Sequence, residues 1–197
     1  MKKRLEQIVE IRSGATLRGR DATRPVSNGR YRLIRISDLT TEGEWLSDQF
    51  LTIDPPEEIR EDFVLRPGDV LFASRGVRMQ AAAFMDAHIK NAITGAQFFL
   101  LRHFKVDLLP EYLAWALNSP DAQSYFQKNT SGSYVPLVTI DILNKLEINV
   151  PPLEIQHGIV EAHRLGIQEK HILSRLSEIR QTLLSHQLQL ASHKSHL

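Results

Sequence analysis

The tightest constraint on this chain is Pro151-Pro152 followed by a stretch from Leu153 to Leu190 that holds no further proline. Neither proline can donate to a sheet ladder, and the fixed φ of Pro152 suits the first turn of a helix, so the pair ends a strand and starts a helix. Within the stretch Leu165, Ile172 and Ile179 recur every seven residues, and Leu176, Leu183 and Leu190 form a second row offset from it by four. Two such rows make an a/d seam of about three heptads. At 1.5 Å per residue the helix would run roughly 55 Å, more than a compact domain of this size can bury along its length. The seam needs a partner helix. Two copies pairing antiparallel would carry identical bodies at opposite ends, related by a two-fold axis.

Upstream, 197 residues with 42% hydrophobic content suffice for one core and a helical appendage. A globular domain over residues 1–150 and a helical spacer over 151–197 are expected. The absence of cysteine excludes a disulfide scaffold and thiolate chemistry. No 18-residue apolar run occurs, and Met1-Lys2-Lys3-Arg4 leads into the charged Leu5-Glu6-Gln7-Ile8-Val9-Glu10. Neither a membrane span nor a signal peptide is expected, and the cytoplasm is the expected compartment.

The net charge of +1 conceals an asymmetry. Met1 to Arg35 holds ten Lys/Arg against three Asp/Glu, whereas Ile36 to Asp62 holds one against nine. Such a division suggests one face for phosphates and another turned away from them; two solvated loops are the plain alternative.

The segment order reads as α+β with a small mixed sheet. A helix is expected over Lys3 to Ile11, with Leu5, Ile8 and Val9 on one face, ended by Ser13-Gly14. An arginine-rich loop carrying Arg18, Arg20, Arg24 and Arg30 follows, broken by Pro25 and Asn28-Gly29. Tyr31 to Ile36 reads as a strand. Pro67-Gly68 has the central residues of a type II turn and delivers Val70 to Ser74 as a buried strand. That strand hands Arg75-Gly76-Val77-Arg78 to a loop. Ala81 to Met85 and Gln97 to Arg102 are further strands, and Pro110 to Leu117 and Pro120 to Gln127 are helices, the second capped by Ser119. Thr139 to Asn144 reads as a short helix, before a final strand over Leu146 to Val150.

The motif order resembles one half of a specificity subunit of type I restriction-modification systems. The stretches that carry the resemblance are Leu33-Ile34-Arg35-Ile36-Ser37-Asp38-Leu39, Leu65-Arg66-Pro67-Gly68-Asp69-Val70-Leu71-Phe72-Ala73-Ser74-Arg75-Gly76, and Ser131-Gly132-Ser133 through Pro151-Pro152-Leu153-Glu154-Ile155-Gln156. Ile155 stands where the family usually has Glu. Family members usually carry two recognition domains and two spacer helices, whereas this chain has one of each, as a half-subunit that dimerises or a remnant would. The resemblance implies a target-recognition domain that is not itself catalytic and binds double-stranded DNA. It implies two protein partners, a modification subunit that methylates adenine with S-adenosylmethionine and a restriction subunit that cleaves.

The residues agree with a non-catalytic role and with no cofactor or metal of the chain's own. No Gly-rich nucleotide loop follows a strand, and Asp54-Pro55-Pro56-Glu57 lacks the aromatic fourth residue of an amino-methyltransferase motif, reading instead as a stiff acidic turn. His157 and His163, six apart, do not share the three- or four-residue spacing of a helical metal pair.

For DNA, phosphate contacts supply affinity and side chains at base edges supply specificity. Arg75 and Arg78 are the first candidates, because a strand end followed by Gly76 lets backbone approach and an arginine fork pairs with guanine; pairing with Asp69 or Asp86 is the alternative. Ser133 and Tyr134 could bond phosphate or stack, or simply link into the last strand. Arg18, Arg20, Arg24 and Lys128 are expected at backbone phosphates. Gln80 and Asn91 have the amide that matches adenine, while Trp45 and Trp115 are expected in the core or an interface. The competing reading from another class is a helical interaction protein that binds no DNA.

Overall fold

The computed structural model describes residues 1–19, 22–40, 42–46, 49–76, 79–130 and 136–194, the side chains at 191, 193 and 194 excepted. They fall into two compact units, Met1–His157 and Gly158–Leu197.

In the first unit the helix expected over Lys3–Ile11 contracts to a single turn, α1 (Leu5–Ile8). Before it, β1 (Lys2–Arg4) pairs antiparallel with β9 (Glu147–Asn149); after it, β2 (Glu10–Ser13) pairs with β8 (Phe98–Arg102). An amphipathic helix of about nine residues is marginal in water, and two ladders to distant strands outweigh it. Leu5, Ile8 and Val9 are buried all the same.

The core is built on β5 (Asp69–Ala73), buried at every residue. Pro67-Gly68 forms the expected turn: the Asp69 N–H donates to the Arg66 carbonyl at 3.0 Å, and Gly68 takes φ +96°, which favours glycine. The strand joins β8 and β6 (Ala81–Phe84) in an antiparallel sheet of order β2-β8-β5-β6. On one face Phe72 meets Phe126 of α3 (Pro120–Asn129), ring centroids 5.0 Å apart. The cap before α3 is the expected one, Ser119 accepting from the Ala122 N–H at 3.3 Å. On the other face Leu71, Ala73, Ala82, Phe84, Phe98 and Leu100 pack with Ile34, Leu39, Leu65 and Ala92. Those partners belong to or border a mixed sheet in which β3 (Tyr31–Ile34) lies antiparallel to β4 (Leu51–Ile53) and parallel to β7 (Ala92–Thr94). The Tyr31 strand stops two residues early because Ile36–Asp38 turns, with the Asp38 carboxylate accepting from the Arg35 N–H at 2.8 Å.

The exposed edge of β6 is capped by side chains. Asn118, last residue of α2 (Pro110–Asn118), accepts from the Ala81 N–H at 2.9 Å and donates to the Ala81 carbonyl at 2.7 Å, and Trp45 Nε1 donates to the Ala83 carbonyl at 3.1 Å. Paired this way, the edge offers less to a foreign strand.

A short helix, α4 (Ile140–Lys145), with Thr139 at its N-cap, leads through β9 to Pro151-Pro152 and α5 (Leu153–Lys194). Gln156 in the first turns of α5 is fully buried. Its Oε1 accepts from the Leu109 N–H at 2.8 Å, and its Nε2 donates to the carbonyls of Asp107 at 2.9 Å and Pro151 at 2.8 Å. Gln156→Ala would leave three backbone groups unpaired and is expected to cost about 2–3 kcal/mol in urea denaturation. Ile155→Ala, at a half-exposed neighbour, should stay within about 0.5 kcal/mol of the parent. Equal effects would remove Gln156 from this anchoring role.

In the second unit α5 presents its apolar rows to solvent. Leu165, Ile172, Leu176, Ile179, Leu183 and Leu190 are each at least 41% exposed. Among the described residues no helix is long and apolar enough to cross a membrane.

Candidate nucleic-acid interface

Because the four-stranded sheet is antiparallel, one of its ends collects Ser13 of β2, Phe98 of β8, Ala73 of β5 and Ala81 of β6. Four loops meet there. The Gly14 N–H donates to the Phe98 carbonyl at 2.9 Å and the Ala15 N–H to the Thr94 carbonyl at 2.8 Å, starting the arginine loop. Both the N–H and the Oγ of Ser74 donate to the Gln97 carbonyl at 2.9 Å, tying the end of β5 to the turn before β8. Arg75 forms a bridge with Leu137, and the Val138 N–H donates to the Ser74 carbonyl at 2.9 Å, which draws in the segment that follows Val135. Gln123 of α3 donates to the Met79 carbonyl at 2.7 Å, and Lys128 stands in the last turn of the same helix.

Arg75 therefore sits at one end of one sheet and Lys128 on a helix that borders it. Arg18, on the loop leaving β2, lines a cavity with Pro55, Glu57 and Glu58, which belong to the segment after β4 rather than to that end. Arg24 is carried away from it: Pro25 bridges to Ile53 and the Val26 N–H donates to the Thr52 carbonyl, so this part of the loop follows β4. Arg20, Arg78, Ser133 and Tyr134 lie outside the described residues.

Charge separates these arginines from the others. Arg30 is held by the Asp54 carboxylate and donates to the Pro55 carbonyl at 2.8 Å; the contact with Asp54 raises the pKa of the guanidinium. Arg12 lies 3.7 Å from Glu10 and 3.8 Å from Asp62, and Arg35 lies 2.9 Å from Asp38. The basic and acidic segments thus do not occupy opposite faces, as their sequence separation suggested. Pairing of β3 with β4 brings them side by side. Arg18, Arg24, Arg75 and Lys128 are exposed, and none forms an ion pair among the described residues. Arg18 borders a cavity of about 330 Å³ shared with Glu57, Glu58 and Arg60.

The alternative partners for Arg75 are engaged elsewhere. The Asp69 carboxylate accepts from the Arg66 N–H and from Arg102, both at 2.7 Å, and Asp86 accepts from the His88 N–H at 2.7 Å. Asn91 donates its amide to the Arg30 carbonyl at 3.1 Å, a turn-holding role at φ +52°. Trp45 packs edge-on against Phe50 and Phe84, and Trp115 tilts against Tyr112 at 5.5 Å. Gln123, Ser74 and the Gln97 carbonyl, which hold the loops together, have no sequence signature; they emerge only once the ladders are formed.

The model of a family described as the type I restriction modification DNA specificity domain matches residues 1–165. The chain belongs to that family. It is 25% identical over 128 residues to the type I restriction enzyme HindI specificity subunit of Haemophilus influenzae, covering 60% of this chain and 27% of that protein. Among solved structures it is similar to the S subunit of a type I restriction-modification system from M. genitalium, at 16% identity and a TM-score of 0.56, covering 91% of this chain and 42% of that one. A chain from a structural account of complex assembly and conformational transition in a type I R-M system gives 21% identity and a TM-score of 0.61, covering 89% and 40%. The HsdS subunit of Thermoanaerobacter tengcongensis gives 21% and 0.54, covering 86% and 37%. At these identities the structures speak for the fold, an α+β body followed by a long helix. The chain spans about a quarter of the length of the curated relative and about two fifths of the solved ones.

Proposed function

We propose that this chain is the DNA-reading part of a type I restriction-modification system, with residues 1–150 as the target-recognition domain and 151–197 as the spacer helix. It does no chemistry of its own. It brings a separate adenine-methylating modification subunit and a restriction subunit to a site in double-stranded DNA, in the cytoplasm. The observation that supports this is that Arg18, Arg75 and Lys128 are exposed and form no ion pair among the described residues, with Arg75 at the loop-bearing end of the four-stranded sheet. Exposed cations free of ion pairs among the described residues suit phosphates, leaving neighbouring side chains to reach base edges. The exposed rows of α5 support self-association. A two-fold pair would read an inverted repeat with an unread gap, its half-sites centred between one and two turns of DNA apart, about 34–68 Å.

The test is duplex affinity as a function of salt. Wild-type protein should lose affinity steeply between about 50 and 200 mM salt, and the triple variant Arg18→Ala, Arg75→Ala, Lys128→Ala should flatten the log–log slope by about 0.9 for each phosphate contact removed. Affinity indifferent to salt would leave a helical interaction protein as the better description.

A further inference from the structure

Each apolar row of α5 runs into one polar residue. Carried back a heptad, the row of Leu176, Leu183 and Leu190 reaches Glu169; carried forward a heptad, the row of Leu165, Ile172 and Ile179 reaches His186. Both side chains are exposed, as are the six apolar ones, on a helix that runs unbroken from Leu153 to Lys194. Once a second helix covers the seam, a carboxylate and an imidazole facing leucine or isoleucine are unfavourable, because each loses water and gains no partner. The covering helix must therefore bring a complement to each.

A second α5 supplies both complements in one arrangement. In an antiparallel pair each row of one helix faces the other row of its partner. Leu165 and Leu190, Glu169 and His186, Ile172 and Leu183, and Leu176 and Ile179 all share one midpoint, between Ser177 and Glu178. With a two-fold axis at that point apolar residues meet only apolar ones, and Glu169 meets the partner's His186. A slip of one heptad sets Glu169 against the partner's Ile179 or His186 against the partner's Leu176, according to its direction. The flanks agree. In a parallel pair Arg175 would stand beside the partner's Arg180, and Glu169 and His186 would each meet their own copy. In the antiparallel pair Arg175 lies by the partner's Thr182, and the aliphatic stem of Arg180 lies by the partner's Leu173.

We propose that Glu169 and His186 make two reciprocal contacts between copies of α5, and that these fix the pairing as antiparallel with its axis between Ser177 and Glu178. The partner is a second copy of this chain. The imidazole has an N–H to donate to the carboxylate in either protonation state, and its protonated form adds opposite charge. Polar positions in an otherwise apolar seam set register and orientation, at some cost in strength. The assignment rests on the self-association proposed above and adds its geometry.

The chain has no cysteine, so introduced thiols report alone. Leu165→Cys and Leu190→Cys, each made in the full chain, keep the polar pair intact. Treated separately with a short thiol-specific crosslinker, neither should couple, since each thiol lies roughly 35–40 Å from its own copy at 1.5 Å per residue. An equilibrated mixture of the two should crosslink as a mixed pair. His186→Glu sets carboxylate against carboxylate and should weaken association by about tenfold or more. Adding Glu169→His restores the pair in reverse and should recover most of that loss. Crosslinking of either cysteine variant alone would make the pair parallel and overturn the assignment. A dimer by light scattering whose mixture does not crosslink would overturn the register, and a double variant as weak as His186→Glu would overturn the contact itself. A parent that is monomeric at every concentration would overturn the assignment together with the self-association, while salt-dependent duplex binding by that monomer would leave the DNA-reading role standing.

Discussion

Asp69→Ala is expected to cost about 3–5 kcal/mol of stability, the range for stripping one partner from a buried ion pair. The Asp69 and Arg102 side chains are 5% and 6% exposed and meet at 2.7 Å. The same carboxylate accepts from the Arg66 N–H, while Arg102 donates to the carbonyls of Asp62 at 2.9 Å and Val64 at 3.2 Å. One pair thus ties the Pro67-Gly68 turn, β8 and the Glu61–Phe63 turn together. Without the carboxylate the guanidinium stays buried with its charge uncompensated. Burial raises the Asp69 pKa above its ordinary value, against the opposing pull of the Arg66 N–H and Arg102. The folded state therefore holds this proton more readily than the unfolded one. The group's contribution is most favourable below the ordinary carboxylate pKa and declines as pH rises through the raised value. Desolvation outweighing attraction also means that the pair need not beat an apolar replacement. Asp69→Ala combined with Arg102→Met should recover much of the loss, since replacing both members of a buried pair is often near neutral. Urea denaturation of the single and double variants checks this. A single-variant cost below about 1 kcal/mol would mean that water reaches the pair.

Local signals were legible in the sequence. Pro67-Gly68, the Ser119-Pro120 helix start and the short helix after Val138 depend on residues close to each other in the chain, and all three are present, the last with Thr139 as its N-cap rather than its first residue. The seam on α5 is likewise a local periodicity. What escaped was fixed by partners far away in the chain. Lys2–Arg4 is extended because Glu147–Asn149 lies beside it, and Leu51–Ile53 and Ala92–Thr94 are too short to show a period. The same limit governs the candidate interface. Arg18, Arg75 and Lys128 can be named from sequence as surface cations, but where Arg75 stands follows only from the β2-β8-β5-β6 ladder. Gln156 was visible as a motif letter, and its three backbone contacts were not.

Placing charge in the seam should have the largest effect on assembly. The parent is expected to be a dimer near twice 22.5 kDa by light scattering on a sizing column, and Ile172→Lys with Ile179→Lys should run as a monomer at the same concentrations. In a symmetric pair the two substitutions remove four buried isoleucines and bring four ammonium groups together. At even about 1 kcal/mol for each lost side chain, the dissociation constant rises by roughly a thousandfold. Both positions are more than half exposed in the isolated helix, so helicity should survive, and far-UV circular dichroism checks that it does. The consequence for DNA is specific. A dimer engages its second half-site intramolecularly, with a typical gain of about 10²–10⁴. The monomeric variant should lose that factor on a duplex with both half-sites and bind a single half-site as well as the parent does. Equal losses on both duplexes would mean that the substitutions disturb the reading domain itself. A parent that is monomeric at every concentration would assign the seam to a helix of another chain, and the two-fold symmetry expected of the site would go with it.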